Sequence, residues 1–142
     1  MAYEIADRVW FGPAGITWRP EEVCKFTHIV NCDSTRWSTN IWARDNRAFL
    51  HLWSDDDESF RILDTHFETL RTFIDTALAD PNALVFIHCR MGINRSAALA
   101  TAYACYKSGL SARTLIADVR TKWNEPYLTN SGFEDQLIEK FI

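Results

Sequence analysis

No stretch of this 142-residue chain holds the roughly 20 consecutive apolar residues that a membrane-spanning helix needs. The opening Met1-Ala2-Tyr3-Glu4 has no basic segment followed by an apolar one, so no signal peptide is expected, and the end has no lipidation motif. Repeats, linkers and low-complexity tracts are missing, which points to one domain over residues 1–142. The cysteines, at positions 24, 32, 89 and 105, lack the paired spacing of a metal site. No metal and no cofactor are expected. An excess of positive charge is absent too. The net charge of -4 argues against a general nucleic-acid binder. Together these absences suggest the cytoplasm or nucleus, with reduced thiols and no membrane partner.

What is present is core-forming material. The chain is 47% hydrophobic and 13% aromatic, which excludes disorder. Strands are expected near 8–11, 27–32, 47–53 and 83–88. Residues 33–46 look like a polar surface loop, with Trp37 and Trp42 oddly large for that role. Helices are expected near 20–24, 60–79, 95–107, 111–123 and 131–141. In the longest, Phe60, Leu63, Phe67, Leu70, Phe73, Ile74 and Ala77 recur at helical spacing. Asp80-Pro81-Asn82 breaks it. Ser111, and Asn130 or Ser131, are suitable N-caps. Strands separated by helices indicate an α/β fold. We expect a single-domain, mostly parallel sheet of four or five strands with helices on both faces.

The most informative stretch is His88-Cys89-Arg90-Met91-Gly92-Ile93-Asn94-Arg95-Ser96. It follows the apolar run 83–87 and precedes the Ala-rich segment 97–107. A cysteine thus ends a strand, and a loop with one glycine leads into a helix N-terminus. A thiol attacks only as thiolate, and a free cysteine has a pKa of about 8.5. A helix N-terminus offers unpaired N–H groups and positive potential to both thiolate and phosphate. Successive loop N–H groups of Arg90, Met91, Gly92, Ile93, Asn94 and Arg95 make an anion nest. Gly92 permits the sharp turn. Arg95 can grip two phosphate oxygens at once. Ser96 is placed to hydrogen-bond the sulfur.

This pattern, His88-Cys89-x-x-Gly92-x-x-Arg95-Ser96, resembles the signature of cysteine-dependent protein tyrosine phosphatases. More narrowly, the chain looks like a compact, vaccinia-type dual-specificity phosphatase. Ile5 to Gly12, Thr27 to Cys32, Phe73-Ile74-Asp75 and Asn130 to Phe133 with Gln136 and Leu137 are similar to its other segments, in the right order. The resemblance implies a protein phosphatase. Cys89 would attack phosphorus and form a phosphocysteine, Arg95 would hold the phosphate, and Ser96 would ease the departure of sulfur. His88 would be a structural support. It implies a phosphoprotein substrate, and a pocket shallow enough for phosphotyrosine, phosphoserine and phosphothreonine. The lack of lysines inside the loop argues against inositide substrates. Some relatives hold a second phosphate with an arginine where this chain has Trp123. That departure argues against doubly phosphorylated substrates.

A proton donor for the leaving oxygen is expected in Asp55-Asp56-Asp57-Glu58. Ungapped comparison with the family selects Asp57; Asp56 and Asp55 remain open. Acids before a helix also complement its dipole. Cys32 ends a strand that should lie beside the one ending in Cys89, where strand ends gather at a ligand crevice. It is either a small buried residue or a resolving thiol for oxidised Cys89. Cys105 reads as core, and His28, His51 and His66 as structural or surface residues. Two other classes remain: an RNA 5′-triphosphatase of the same superfamily, and a non-catalytic phosphoprotein-binding module. Oligomeric state is not legible.

Overall fold

A computed structural model describes residues 1–35 and 47–142. Trp37 and Trp42 lie outside the described residues. The chain opens with a hairpin, Tyr3–Ala6 (β1) and Val9–Pro13 (β2), turned through Arg8 at φ 66°. The Arg8 side chain holds that left-handed turn. Its guanidinium donates to the carbonyls of Leu78, Asp80 and Ala83 at 3.1, 2.8 and 3.3 Å. The strand expected near 8–11 is thus β2. The extra strand β1, Tyr3-Glu4-Ile5-Ala6, lies at the sheet edge with no residue fully buried, so it lacks the apolar run that declares a strand such as β5.

A 3₁₀ turn, Ala14–Trp18, and a short helix α1, Pro20–Val23, lead to β3, His28–Asn31, and β4, Ala48–His51. Helix α2, Ile62–Leu78, precedes the central strand β5, Val85–Cys89. Three helices complete the chain: α3, Arg95–Ser108, α4, Ala112–Lys122, and α5, Ser131–Lys140. The strand order is β1-β2-β5-β3-β4. All neighbouring pairs except β1–β2 are parallel. Single-domain, mostly parallel α/β architecture is what the alternation of strands and helices predicts.

The two faces are covered unequally. Val9, Phe11, Val30, Val85 and Ile87 point into one core, with Leu70, Ile74, Leu99, Ile116 and Leu137 from α2 to α5 packed on them. Ile29 and Phe86 point the other way, onto Ile16 of the 3₁₀ turn, Val23 of α1 and Phe26 just after it. The period-2 alternation of a strand divides its residues between the two layers. Helix α3 is buried along Ser96 to Cys105, so small alanines let it lie close against the sheet. It ends at Gly109, φ 75°, whose N–H donates to the Cys105 carbonyl at 2.9 Å. Ser111 caps α4 by accepting from the Thr114 N–H. Asn130, rather than Ser131, caps α5 by accepting from the Phe133 N–H.

This order places the C-terminal ends of β2, β5, β3 and β4 along one sheet edge. Chain leaving those ends must form the crevice.

Candidate active site

Cys89 is the last residue of β5 and is 2% exposed. Its Sγ lies 3.2 Å from Ser96 Oγ, in the first turn of α3. The loop between them is held from outside. The Ala14 N–H donates to the Arg90 carbonyl at 3.2 Å, and the Leu128 N–H to the Ile93 carbonyl at 2.8 Å. In a trans peptide the C=O and the following N–H point opposite ways. Pinning these carbonyls outward therefore turns the N–H groups of Met91 and Asn94 toward the bowl. Gly92 adopts φ 72° and lies against the Gly12–Pro13 backbone. A Cβ there would meet the Gly12 carbonyl carbon and come within 2.5 Å of Pro13 N. The loop is thus seated on the end of β2 at a position only glycine can occupy.

Arg95 is buried to 12% side-chain exposure. Its Nη1 donates to Asp33 Oδ1 at 3.0 Å and to the Ser54 carbonyl at 3.2 Å. Its Nε is buried without a hydrogen-bond partner among the described residues. Asp33 is 1% exposed and lies 3.6 Å from Arg90 Nε as well. Burial pushes the Asp33 carboxyl up. The Thr35 amide and the Arg95 and Arg90 guanidiniums outweigh that and hold it below the usual carboxylate range. Asp33 was not singled out by sequence reasoning. The available signal was its place directly after the strand that neighbours β5. Ser54, contributing a backbone carbonyl, had none.

His88 is buried, and burial pushes its pKa down to about 4; the Cys89 backbone and the Asp33 carboxylate oppose this only in part. The ring is therefore neutral near pH 7, as a packing and orienting group should be. His51 and His66 bond the backbone carbonyls of Asp33 and Trp53, at 2.8 and 2.6 Å. Cys32 is fully buried, and its N–H donates to the His88 carbonyl at 2.7 Å. It continues the pairing of Asn31 with His88, so it stands beside Cys89. Burial first, and then proximity to Cys89, pushes the Cys32 thiol well up.

The acidic run follows β4 at the same edge. Asp57 Oδ1 accepts from the Ser59 hydroxyl at 2.6 Å and the Ser59 N–H at 2.8 Å. These bonds, the hydroxyl foremost, hold its carboxyl below the usual range. Asp56 is engaged differently. It accepts from Asn94 Nδ2 at 3.1 Å and Asn130 Nδ2 at 2.9 Å. Asn130 was expected only as a helix cap.

A thiol at a strand end, a loop with N–H groups turned inward, a buried arginine and a carboxylate loop are parts that phosphoryl transfer to sulfur would require. The family model described as "Dual specificity phosphatase, catalytic domain" matches residues 13–142. The chain belongs to this family. Dual specificity protein phosphatase 26 of Homo sapiens is 30% identical over 114 residues, covering 79% of this chain and 53% of that protein. The Bos taurus protein is 28% identical over 141 residues, 94% of this chain and 65% of that protein. The chain thus spans 53% of the length of the human relative. The crystal structure of human DUSP28 superposes with TM-score 0.83 at 22% identity, over 99% of this chain and 92% of that one. That of DUSP15 gives 0.85 at 19% identity, over 97% and 85%. These likenesses show the fold.

Within this dual-specificity phosphatase domain, Trp123 stands at the end of α4 and packs on Tyr3 and Phe11, with ring centroids 5.3 and 6.4 Å away. It also lines a cleft of about 320 Å³ beside the loop, with Pro13, Met91, Ile93, Glu125 and Pro126. Trp53, 48% exposed, meets Phe60 edge-on at 6.1 Å. Among the described residues, no helix is long and apolar enough to cross a membrane.

Proposed function

We propose that this chain hydrolyses phosphotyrosine and phosphoserine or phosphothreonine in proteins through a phosphocysteine intermediate. The observation that carries this reading is Arg95, next in sequence to the Ser96 that bonds the Cys89 sulfur, whose Nε is buried without a hydrogen-bond partner among the described residues. A buried guanidinium donor without a partner costs free energy unless an anion arrives to take it. A phosphate placed there receives Arg95 and the loop N–H groups of Arg90 to Arg95, while Cys89 stands in line behind phosphorus.

In the first displacement, the Cys89 thiolate bonds to phosphorus and the P–O bond to the leaving group breaks. Asp57 gives that oxygen its proton. The phosphate dianion beside the loop raises the proton affinity of Asp57 and so opposes the Ser59 bonds. In the second, the Asp57 carboxylate takes a proton from water, which attacks phosphorus and releases Cys89. Ser96 Oγ, 3.2 Å from the sulfur, donates to the leaving thiolate. The Ser59 bonds favour the carboxylate form that this second step uses. His88 supports the loop and does not react.

Met91 is 66% exposed at the rim, and among the described residues Glu125 is the only charged side chain lining the adjacent cleft. Such a cleft suits an apolar residue next to the phosphorylated one and repels a second phosphate. The substrate proposed is therefore a singly phosphorylated protein, with no nucleic acid or membrane involved.

The test is kcat/KM for wild type and Cys89→Ser on a phosphotyrosine peptide, a phosphothreonine peptide and 5′-triphosphate RNA. Hydrolysis of both peptides by wild type, lost in Cys89→Ser, is expected. Preference for the RNA would overturn the reading. Peptide binding without turnover would reassign the chain as a recognition module.

A further inference from the structure

Two adjacent carboxylates, Asp56 and Asp57, stand where the proposed reaction needs one proton donor. Their surroundings differ. Among the described residues, the Asp57 side chain bonds only within its own turn, to Ser59. Asp56 spends both of its oxygens on other parts of the fold. Oδ2 accepts from Asn94 Nδ2 at 3.1 Å, and Oδ1 from Asn130 Nδ2 at 2.9 Å. Asn94 closes the triangle, because its Oδ1 accepts from the Asn130 N–H at 2.8 Å and from Thr129 Oγ1 at 3.3 Å. The amide of Asn94 has one chemically sensible orientation here. Flipped, its NH₂ would face an N–H and its oxygen a carboxylate.

Each corner belongs to a different element. Asn94 immediately precedes Arg95 and stands at the N-cap position of α3, yet its side chain makes no capping bond. Asn130 is the N-cap of α5. Asp56 belongs to the segment between β4 and α2. Two further contacts brace the same segment. Ser131 Oγ donates to Glu58 Oε2 at 2.8 Å. Gly132 lies against the Glu58 backbone so closely that a Cβ would meet the Glu58 carbonyl oxygen and fall 2.6 Å from its Cα.

We propose that Asp56 is a positioning residue that latches the proton-donor loop onto the phosphate loop through Asn94 and onto α5 through Asn130. This rests on the phosphatase reading above. Each Asp56 oxygen already accepts from an amide of another element, so the side chain is tied to the fold rather than free to follow the leaving group. It fixes where its neighbour Asp57 sits relative to the loop that carries Cys89 and Arg95. A charged acceptor between two amide donors makes stronger bonds than a neutral one would. The loop is therefore held ready before substrate binds.

The experiment compares wild type, Asp56→Ala, Asn94→Ala, the double variant and Asp57→Ala on two substrates. One is an aryl phosphate whose leaving group needs no proton. The other is a phosphothreonine peptide, whose alkoxide does. Loss of the latch is expected to lower kcat for the peptide by roughly 10–100-fold, a partial loss of the roughly 10²–10⁴-fold that general acid catalysis supplies. In Asp56→Ala the aryl phosphate should lose less than about threefold, with KM unchanged, because no proton is required there; Asn94 also belongs to the phosphate loop, so its variants are compared by the ratio of peptide to aryl turnover. The double variant should lose less than the two single losses multiplied together, since the Asp56–Asn94 bond is counted in both. The limb of the pH–kcat profile that reports the acid should persist in Asp56→Ala and vanish in Asp57→Ala.

Additive losses for Asp56 and Asn94, or wild-type peptide turnover in Asp56→Ala, would overturn the latch. So would a limb lost in Asp56→Ala and kept in Asp57→Ala, which would make Asp56 the acid. Asn94→Ala reaches the link from the other side, so a folding defect in Asp56→Ala alone leaves the test standing. Aryl phosphate turnover by wild type, abolished in Cys89→Ser, reports on the reaction separately. If that turnover is absent, the phosphatase reading fails first and the latch with it.

Discussion

Replacing Gly92 by alanine tests how the phosphate loop is seated. Gly92 has φ 72°, and its Cα lies against the Gly12–Pro13 backbone, with only 2.5 Å between a built Cβ and Pro13 N. Gly109 has nearly the same backbone, φ 75°, but a Cβ there meets nothing within 4 Å. Gly109→Ala therefore carries only the left-handed penalty, about 1–2 kcal/mol. Gly92→Ala carries that and the cost of forcing a methyl into packed backbone, another ~1–3 kcal/mol. For a domain of this size, 1 kcal/mol moves Tm by about 4 °C. Scanning calorimetry should show Tm lower by about 4–8 °C for Gly109→Ala and about 8–20 °C for Gly92→Ala. Activity should separate them further. Moving the loop off β2 by an ångström misplaces the N–H groups and costs about 100-fold in kcat/KM. Gly109 is at the far end of α3, so its variant should turn over normally. Equal Tm losses, or full activity in Gly92→Ala, would refute the seating argument.

Three further expectations follow from the site. His88 has its pKa lowered to about 4, against 6.5 when unfolded. Between those values the unfolded chain binds the extra proton. Stability is therefore lost as pH falls from above 6.5, by about 2 kcal/mol at pH 5. Urea unfolding at pH 7 and pH 5 should show that loss, reduced in His88→Asn; an unchanged loss would remove His88 as its source. Asp33→Ala leaves the Arg95 guanidinium buried without its anion. It should destabilise by about 3 kcal/mol, and vanadate should raise its Tm more than that of wild type. Equal vanadate shifts would show that Asp33 does not hold Arg95 in the anion's absence. Mild peroxide should oxidise Cys89 to the sulfenic acid. The Cys32 sulfur then displaces water to form a Cys32–Cys89 disulfide, which peptide mapping detects. A map without that cross-link would leave Cys32 as a packing residue only.

The local parts of this protein were legible from local chemistry. The strand–loop–helix around Cys89, the helix caps Ser111 and Asn130, and the α2 stripe from Leu63 to Ala77 are written in residue spacing. Spacing reports which residues share a face of one element, and that is enough for elements and for a contiguous motif. The edge strand β1, with no residue fully buried, carried no such signal.

Relations between elements were another matter. Asp33 lies far from Arg95 in sequence, and nothing in its neighbours announces a salt bridge at 3.0 Å. Asp55, Asp56 and Asp57 are indistinguishable as letters. Only the packing of α5 and the phosphate loop around them gives Asp56 two amide partners and leaves Asp57 with Ser59. Trp123 offered either a core ring or a cleft wall, and its contacts make it both. The cysteine at a strand end, the glycine turn leading into a helix N-terminus and the α/β order are readable along the chain, because each is carried by sequence neighbours. Which carboxylate meets Arg95 and which meets Asn94 and Asn130 came from the fold, because those bonds join groups that only folding brings within reach.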